Sequence, residues 1–152
     1  MVRLEVIEMS EPDVMALDAL KAYAAVSDDG QNGILMMALK RAFDMVQRTA
    51  NVALLPGRFR ICAEDHPGIV NVYMGGKVQA VTDGNGLAHS FNQRGCTVYV
   101  GTDGYFEVEF TTEVNAADYD RLLPVVMRYA TAIYDGEDTK VLNDILKEVL
   151  YA

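Results

Sequence analysis

The chain has 152 residues, enough for one domain that buries a core without disulfide staples. Its formal charge is −9, and the 13 Lys and Arg stand singly or in pairs, which argues against nucleic-acid binding by neutralisation of many phosphates. The opening "MVRLEVIEMSEPD" lacks the basic start and apolar centre of a signal peptide, and no apolar run reaches the about 18 residues of a membrane span, so a soluble intracellular protein with no membrane partner is expected.

Ser10, followed by Glu11, Pro12 and Asp13, predicts a helix start: a hydroxyl N-cap, proline in the first turn, and carboxylates at the positive end of the dipole. That helix is expected over about 11–24, and the polar stretch "SDDGQNG" breaks it. A second, over about 31–52, carries Leu35, Leu39, Ala42 and Val46 on one face and Lys40, Asp44 and Arg48 on the other, with Lys40 and Asp44 spaced as an i,i+4 pair. Pro56-Gly57 ends the helical region.

From about 58 to 112 the texture is β-rich: "RFRICA", "IVNVYM", "KVQAVT", "LAHSFN", "CTVYVG" and "YFEVEF", separated by turn residues that favour a meander of antiparallel strands. Val78 and Ala80 alternate with Gln79, while Phe106, Val108 and Phe110 oppose Glu107 and Glu109. The stretch "AVTDGNGLAHSF" imitates an EF-hand loop. With Gly86 at position 6 and Asp83 and Asn85 at positions 3 and 5, however, position 1 is Val81 and position 12 is Asn92, neither of which supplies the carboxylate that calcium needs. A hairpin turn is the expected reading.

Asn115 is placed to cap a third helix over about 116–134 with Leu122, Val126, Tyr129 and Ile133 inward; Pro124 predicts a kink or a late start. After "DGED" a last helix over about 138–151 follows, with Leu142, Ile145 and Val149 inward. The expected fold is α+β in one domain, 1–152: a bundle of about four helices with an inserted antiparallel β meander or hairpin region, in the order αα-β-αα.

No catalytic or metal-binding constellation is expected. His66 adjoins Cys62, Glu64 and Asp65 at a spacing that fits no defensible metal site. His89 has no carboxylate orienter evident nearby in sequence, and no G-x-S-x-G elbow is present. Gly75-Gly76-Lys77 reads as a turn and not a phosphate loop, and Asp118 and Asp120, two apart on a helix, diverge. Cys62 and Cys96 read as buried reduced thiols in strands. No enzyme activity and no cofactor are expected.

The order of these pieces resembles the tailed-phage head-tail connector family of head-completion adaptors. Residues 17–56 are similar to its opening: Leu20, Lys21 and Tyr23 to Val26, an acidic turn at Asp28-Asp29, then an Ala-rich helix ending in Thr49 to Leu54. "VQAVTDGNG", Val78 to Gly86, resembles its Val-x-x-Val-x-x-x-x-Gly hairpin; Val108, Glu109 and Phe110, then Leu123, Pro124, Val126, Ala130 and Tyr134, are similar to its ending. "VRLEVIE" before the first helix departs from the pattern as an added strand or arm, and the β region is larger than a minimal connector hairpin.

The resemblance implies a non-enzymatic adaptor in the virion neck, present in the host cytoplasm during assembly. Its implied partners are the portal protein, tail-completion or stopper proteins, and itself, as a dodecameric ring when assembled and a monomer when free. DNA would pass close by without specific binding, along an acidic wall that does not hold it. Candidate partner contacts are the hairpin tip, Asp83, Gly84, Asn85 and Gly86, and the C-terminal segment, Leu142, Ile145, Leu146, Val149, Leu150 and Tyr151; the resemblance implies that the latter meets the portal. For that segment, completing the helical core is an equal alternative. For the whole chain, the alternative is a small intracellular ligand- or peptide-binding module that is not an enzyme.

Overall fold

Strand β7 (Gly104–Thr112) is organised by its own alternation: Phe106, Val108 and Phe110 are fully buried, while Glu107 and Glu109 face outward. Its neighbours complete the pattern. On one side β2 (Gly57–His66) places Phe59, Ile61 and Ala63 opposite Phe110, Val108 and Phe106. On the other, β4 (Lys77–Asp83) places Val78 and Val81 opposite Phe110 and Val108. Phe59 and Phe110 stack with centroids 5.4 Å apart.

A computed structural model of the chain describes the backbone of residues 1–138 and 140–151; the side chains of Asp65, His66, Val141, Ile145, Glu148, Val149, Leu150 and Tyr151 lie outside the described set. The remaining elements are β1 (Val2–Met9), α1 (Val14–Tyr23), α2 (Asn32–Ala50), β3 (Ile69–Asn71), β5 (Phe91–Arg94), β6 (Thr97–Val100), α3 (Ala116–Tyr134) and α4 (Lys140–Tyr151). Two compact units emerge: residues 1–10 with 51–113, and residues 11–50 with 114–152. Among the described residues no helix is long and apolar enough to cross a membrane.

The first unit corrects the expected architecture. The strands form two sheets, in the orders β1-β2-β7-β4 and β3-β6-β5, and the first strand precedes the helices, so neither a helical bundle with a β insert nor the order αα-β-αα describes the chain. A meander would pair each strand with its neighbour in sequence. Here the long strands β2 and β7 select each other because their apolar faces match residue for residue, whereas β3, β5 and β6, three or four residues each, pair among themselves. Strands β5 and β6 form a tight hairpin, through Gly95 at φ +61° and Cys96. Cys96 is therefore an exposed turn residue and not the buried strand thiol expected; Cys62 is buried, and both are free.

Two further expectations change within these strands. A bulge between Val78 and Ala80 turns Val78 and Val81 to the same buried face and leaves Ala80 half-buried, overriding the simple alternation of Val78 and Ala80. The segment "LAHSFN" is not one strand: Ala88 makes an isolated bridge to Thr82, and β5 begins only at Phe91.

In the second unit α1 begins at Val14, capped by Asp13, whose carboxylate accepts from Ala16 N; Ser10 instead donates its backbone N–H to Pro56 O in the first unit. Asp13 wins because Pro12 favours an extended residue before it, which delays the first helical turn. On α2, Leu35, Leu39, Ala42 and Val46 are buried as a stripe, and Phe43 stacks on Tyr119 at 5.9 Å. Lys40 pairs with Glu11 rather than with Asp44, which takes Arg48 at 2.9 Å. Asn115 caps α3 by accepting from Ala117 N and Asp118 N. The helix runs from Ala116 through Pro124 to Tyr134 without a late start; Pro124 is exposed, and so is Asp120, whose carbonyl loses its helical donor there.

Candidate partner-contact site

The tip that follows β4 is built around one carboxylate. Asp83 Oδ1 accepts from Asn85 N at 2.8 Å and Leu87 N at 3.1 Å, and Oδ2 lies 2.8 Å from His89 Nε2. Backbone bonds close the loop around it: Gly86 N to Asp83 O, Asp83 N to Leu87 O, and His89 N to Val81 O. Gly86 sits at φ +78°, where a side chain would be strained. This is the polar hairpin turn expected of "TDGNG". Its Asp is spent on holding the turn, and among the described residues no group of His, Cys, Asp and Glu is arranged to hold a metal.

His89 does have a carboxylate partner, six residues back, which corrects the sequence reading. The spacing hides it, because only the return of the chain through the turn brings position 89 beside position 83. The hydrogen bond from His89, followed by those from the Leu87 and Asn85 amides, holds the Asp83 carboxyl below the usual aspartate range. Tyr105 lies against the tip, since a Cβ on Gly84 would meet its ring at 3.4 Å. The phenol donates to Glu107 Oε1 at 2.7 Å, and that bond, with burial and the Glu107 charge, pushes it up to about 12.

Sequence reasoning missed one residue here. Leu87, next to the four tip residues singled out, is 63% exposed, so the tip offers water a leucine at the foot of a turn locked by Asp83, whose backbone N–H donates to the leucine carbonyl. The only signal in the sequence is a large apolar residue directly after Asn-Gly.

On the C-terminal segment, α4 starts with Asp138 accepting from Lys140 N at 3.0 Å, and Tyr129 of α3 donates to Asn143. Leu146 is fully buried, while Leu142 is half-buried in a cleft of about 360 Å³ with Tyr23, Arg128 and Thr131. The side chains of Ile145, Val149, Leu150 and Tyr151, and those of Asp65 and His66 in the metal cluster considered above, lie outside the described residues.

No protein-family model and no curated protein matches the chain. Solved structures do. A chain of the "neck of empty GTA particle computed with C6 symmetry" superposes with a TM-score of 0.59 at 13% identity, covering 88% of this chain and 84% of that one. A chain of the virion of a native gene transfer agent particle gives 0.56 at 14%, covering 87% and 84%. A chain of the "neck of native GTA particle computed with C12 symmetry" gives 0.53 at 18%, covering 91% and 93%. At nearly full length on both sides, the chain has the fold of proteins found in the necks of gene transfer agent particles.

Proposed function

We propose that the chain is a head-tail connector of a tailed particle: copies form a ring on the portal vertex, extend the DNA channel, and offer the surface on which tail or stopper proteins dock. The observation that carries this reading is the near end-to-end likeness to neck chains of particles solved with C6 and C12 symmetry. A ring needs a head-to-tail contact repeated around an axis, and affinity then comes from many weak contacts engaged together. No bond is made or broken. A charge of −9 suits a wall that DNA passes without sticking.

In this reading the tip from Asp83 to Leu87 is a partner contact: Leu87 supplies apolar area, and Asp83 keeps the turn from rearranging on binding. The segment from Leu142 to Tyr151 is the candidate for the portal side. The test is negative-stain electron microscopy of the concentrated chain, alone and with its portal protein. Rings with a central channel support the proposal; portal oligomers that never gain an added layer at saturating chain concentration oppose it.

A further inference from the structure

Strand β1 lies at the edge of the four-stranded sheet, and among the described residues its ladder partner is β2 alone. From Val2 to Val6 the pairing is unbroken, and a bulge follows between Val6 and Glu8. Which backbone groups point outward can be read from one end. The Met1 amino group donates to Glu64 O at 3.1 Å and Glu64 N donates to Met1 O at 2.9 Å, so Met1 faces β2. Directions alternate along an antiparallel strand, so Arg3 and Glu5 also turn their N–H and C=O to β2, while Val2, Leu4 and Val6 aim theirs at the open edge.

The side chains alternate in step. Val2, Leu4 and Val6 stand opposite the core residues Ala63, Ile61 and Phe59; Leu4 packs on that core, whereas Val2 and Val6 remain 43% and 44% exposed. Arg3 and Glu5 share the other face, 2.8 Å apart. The edge thus carries free hydrogen-bonding groups and half-covered valines, with no proline or inward charge to blunt it.

We infer that this edge is a docking site for a second copy of the same strand, antiparallel, about a two-fold axis through Leu4. The sequence "VRLEV" is self-complementary in that register: Leu4 meets Leu4, Val2 meets Val6, and Arg3 meets Glu5, twice over. Leu4, Val2 and Val6, whose backbone groups point outward, become the hydrogen-bonded pairs, and the apolar face of one sheet continues into the other. Moving the axis to Arg3 or to Glu5 sets like charges face to face, which disfavours those registers. The product is one sheet of order β4-β7-β2-β1-β1-β2-β7-β4. Because a two-fold contact closes on itself, it makes a dimer and does not propagate into a ring.

Sedimentation velocity of the full chain tests this with two variants, Arg3→Glu and Glu5→Arg. Each alone places like charges at both cross-strand pairs, so each is expected to weaken dimerisation about tenfold or more. An equimolar mixture restores it, because one strand then carries two acidic side chains at these positions and the other two basic ones, and every cross-strand pair joins opposite charges. Rescue by mixing separates pairing from a folding defect, or from the repulsion that Glu5→Arg sets up against Arg60 of the same chain, neither of which mixing cures. A wild-type chain that stays monomeric at high concentration, single variants that dimerise like wild type, or a mixture without rescue would each overturn the inference.

Discussion

Replacing Gly76 by alanine tests how the first unit is packed. The added Cβ would lie 2.2 Å from Phe110 Cδ2, 2.8 Å from Cε2 and 3.1 Å from Tyr73 O. The ring cannot retreat easily: Phe110 is fully buried and stacked on Phe59. Overpacking of this kind costs about 1–3 kcal/mol, which lowers Tm by about 2–12 °C in a chain of this length. The assay is thermal melting of Gly76→Ala, Phe110→Leu and the double variant. Coupling of at least about 0.5 kcal/mol is expected, since the smaller side chain makes room for the methyl group. Gly75→Ala serves as the control. It sits at φ +65° with nothing near its Cβ, so it costs about 1 kcal/mol of backbone strain whether or not Phe110 is present. An alanine at 76 whose cost is unchanged by Phe110→Leu would refute the packing argument.

Ala25 follows α1 at φ +56°, with Val26 N bonded to Lys21 O and Ala25 N to Ala22 O, a capping geometry that favours glycine. Ala25→Gly is therefore expected to raise stability by about 0.5–1 kcal/mol in chemical denaturation. Asp83, held below its ordinary value of 3.8, contributes stability that is present above that value and is lost as pH falls through the folded-state pKa. Asp83→Asn should thus be less stable than wild type at neutral pH, with the gap narrowing below about pH 4 in melts across the acid range. Leu87→Asp should leave the melting curve within about 0.5 kcal/mol of wild type, as surface changes do, yet weaken association with a neck partner in a pull-down.

The sequence carried the local chemistry better than the connections. The Asn115 cap, the buried stripe of α2 and the two faces of β7 were legible because each is set by residues within a few positions of one another. Pairing of β2 with β7 joins residues about fifty positions apart through a shared apolar face, and nothing local distinguishes it from a meander. The same limit hid the Asp83 and His89 pair, which exists only once the turn has formed.

One feature was legible in a form that alternation alone misreads. Val78 and Val81 are three apart, a spacing at which a regular strand sends side chains to opposite faces; the bulge after Val78 reconciles them. The Val-x-x-Val spacing noted in the connector resemblance is therefore the trace of a bulge in this chain. At the tip, Asp83, Gly84, Asn85 and Gly86 announced a turn, but Leu87 was masked by its place in an apparent strand. For the C-terminal segment, helical periodicity gave an apolar face without saying what covers it, and the structure buries Leu146 fully.

The proposal that the chain joins head to tail is tested most directly by deleting its gene from the producing strain and imaging the released particles by electron microscopy. The account predicts DNA-filled or emptied heads without tails, alongside free tails, with complete particles restored when the chain is supplied from a plasmid. Complete tailed particles in normal numbers from the deletion strain would contradict it.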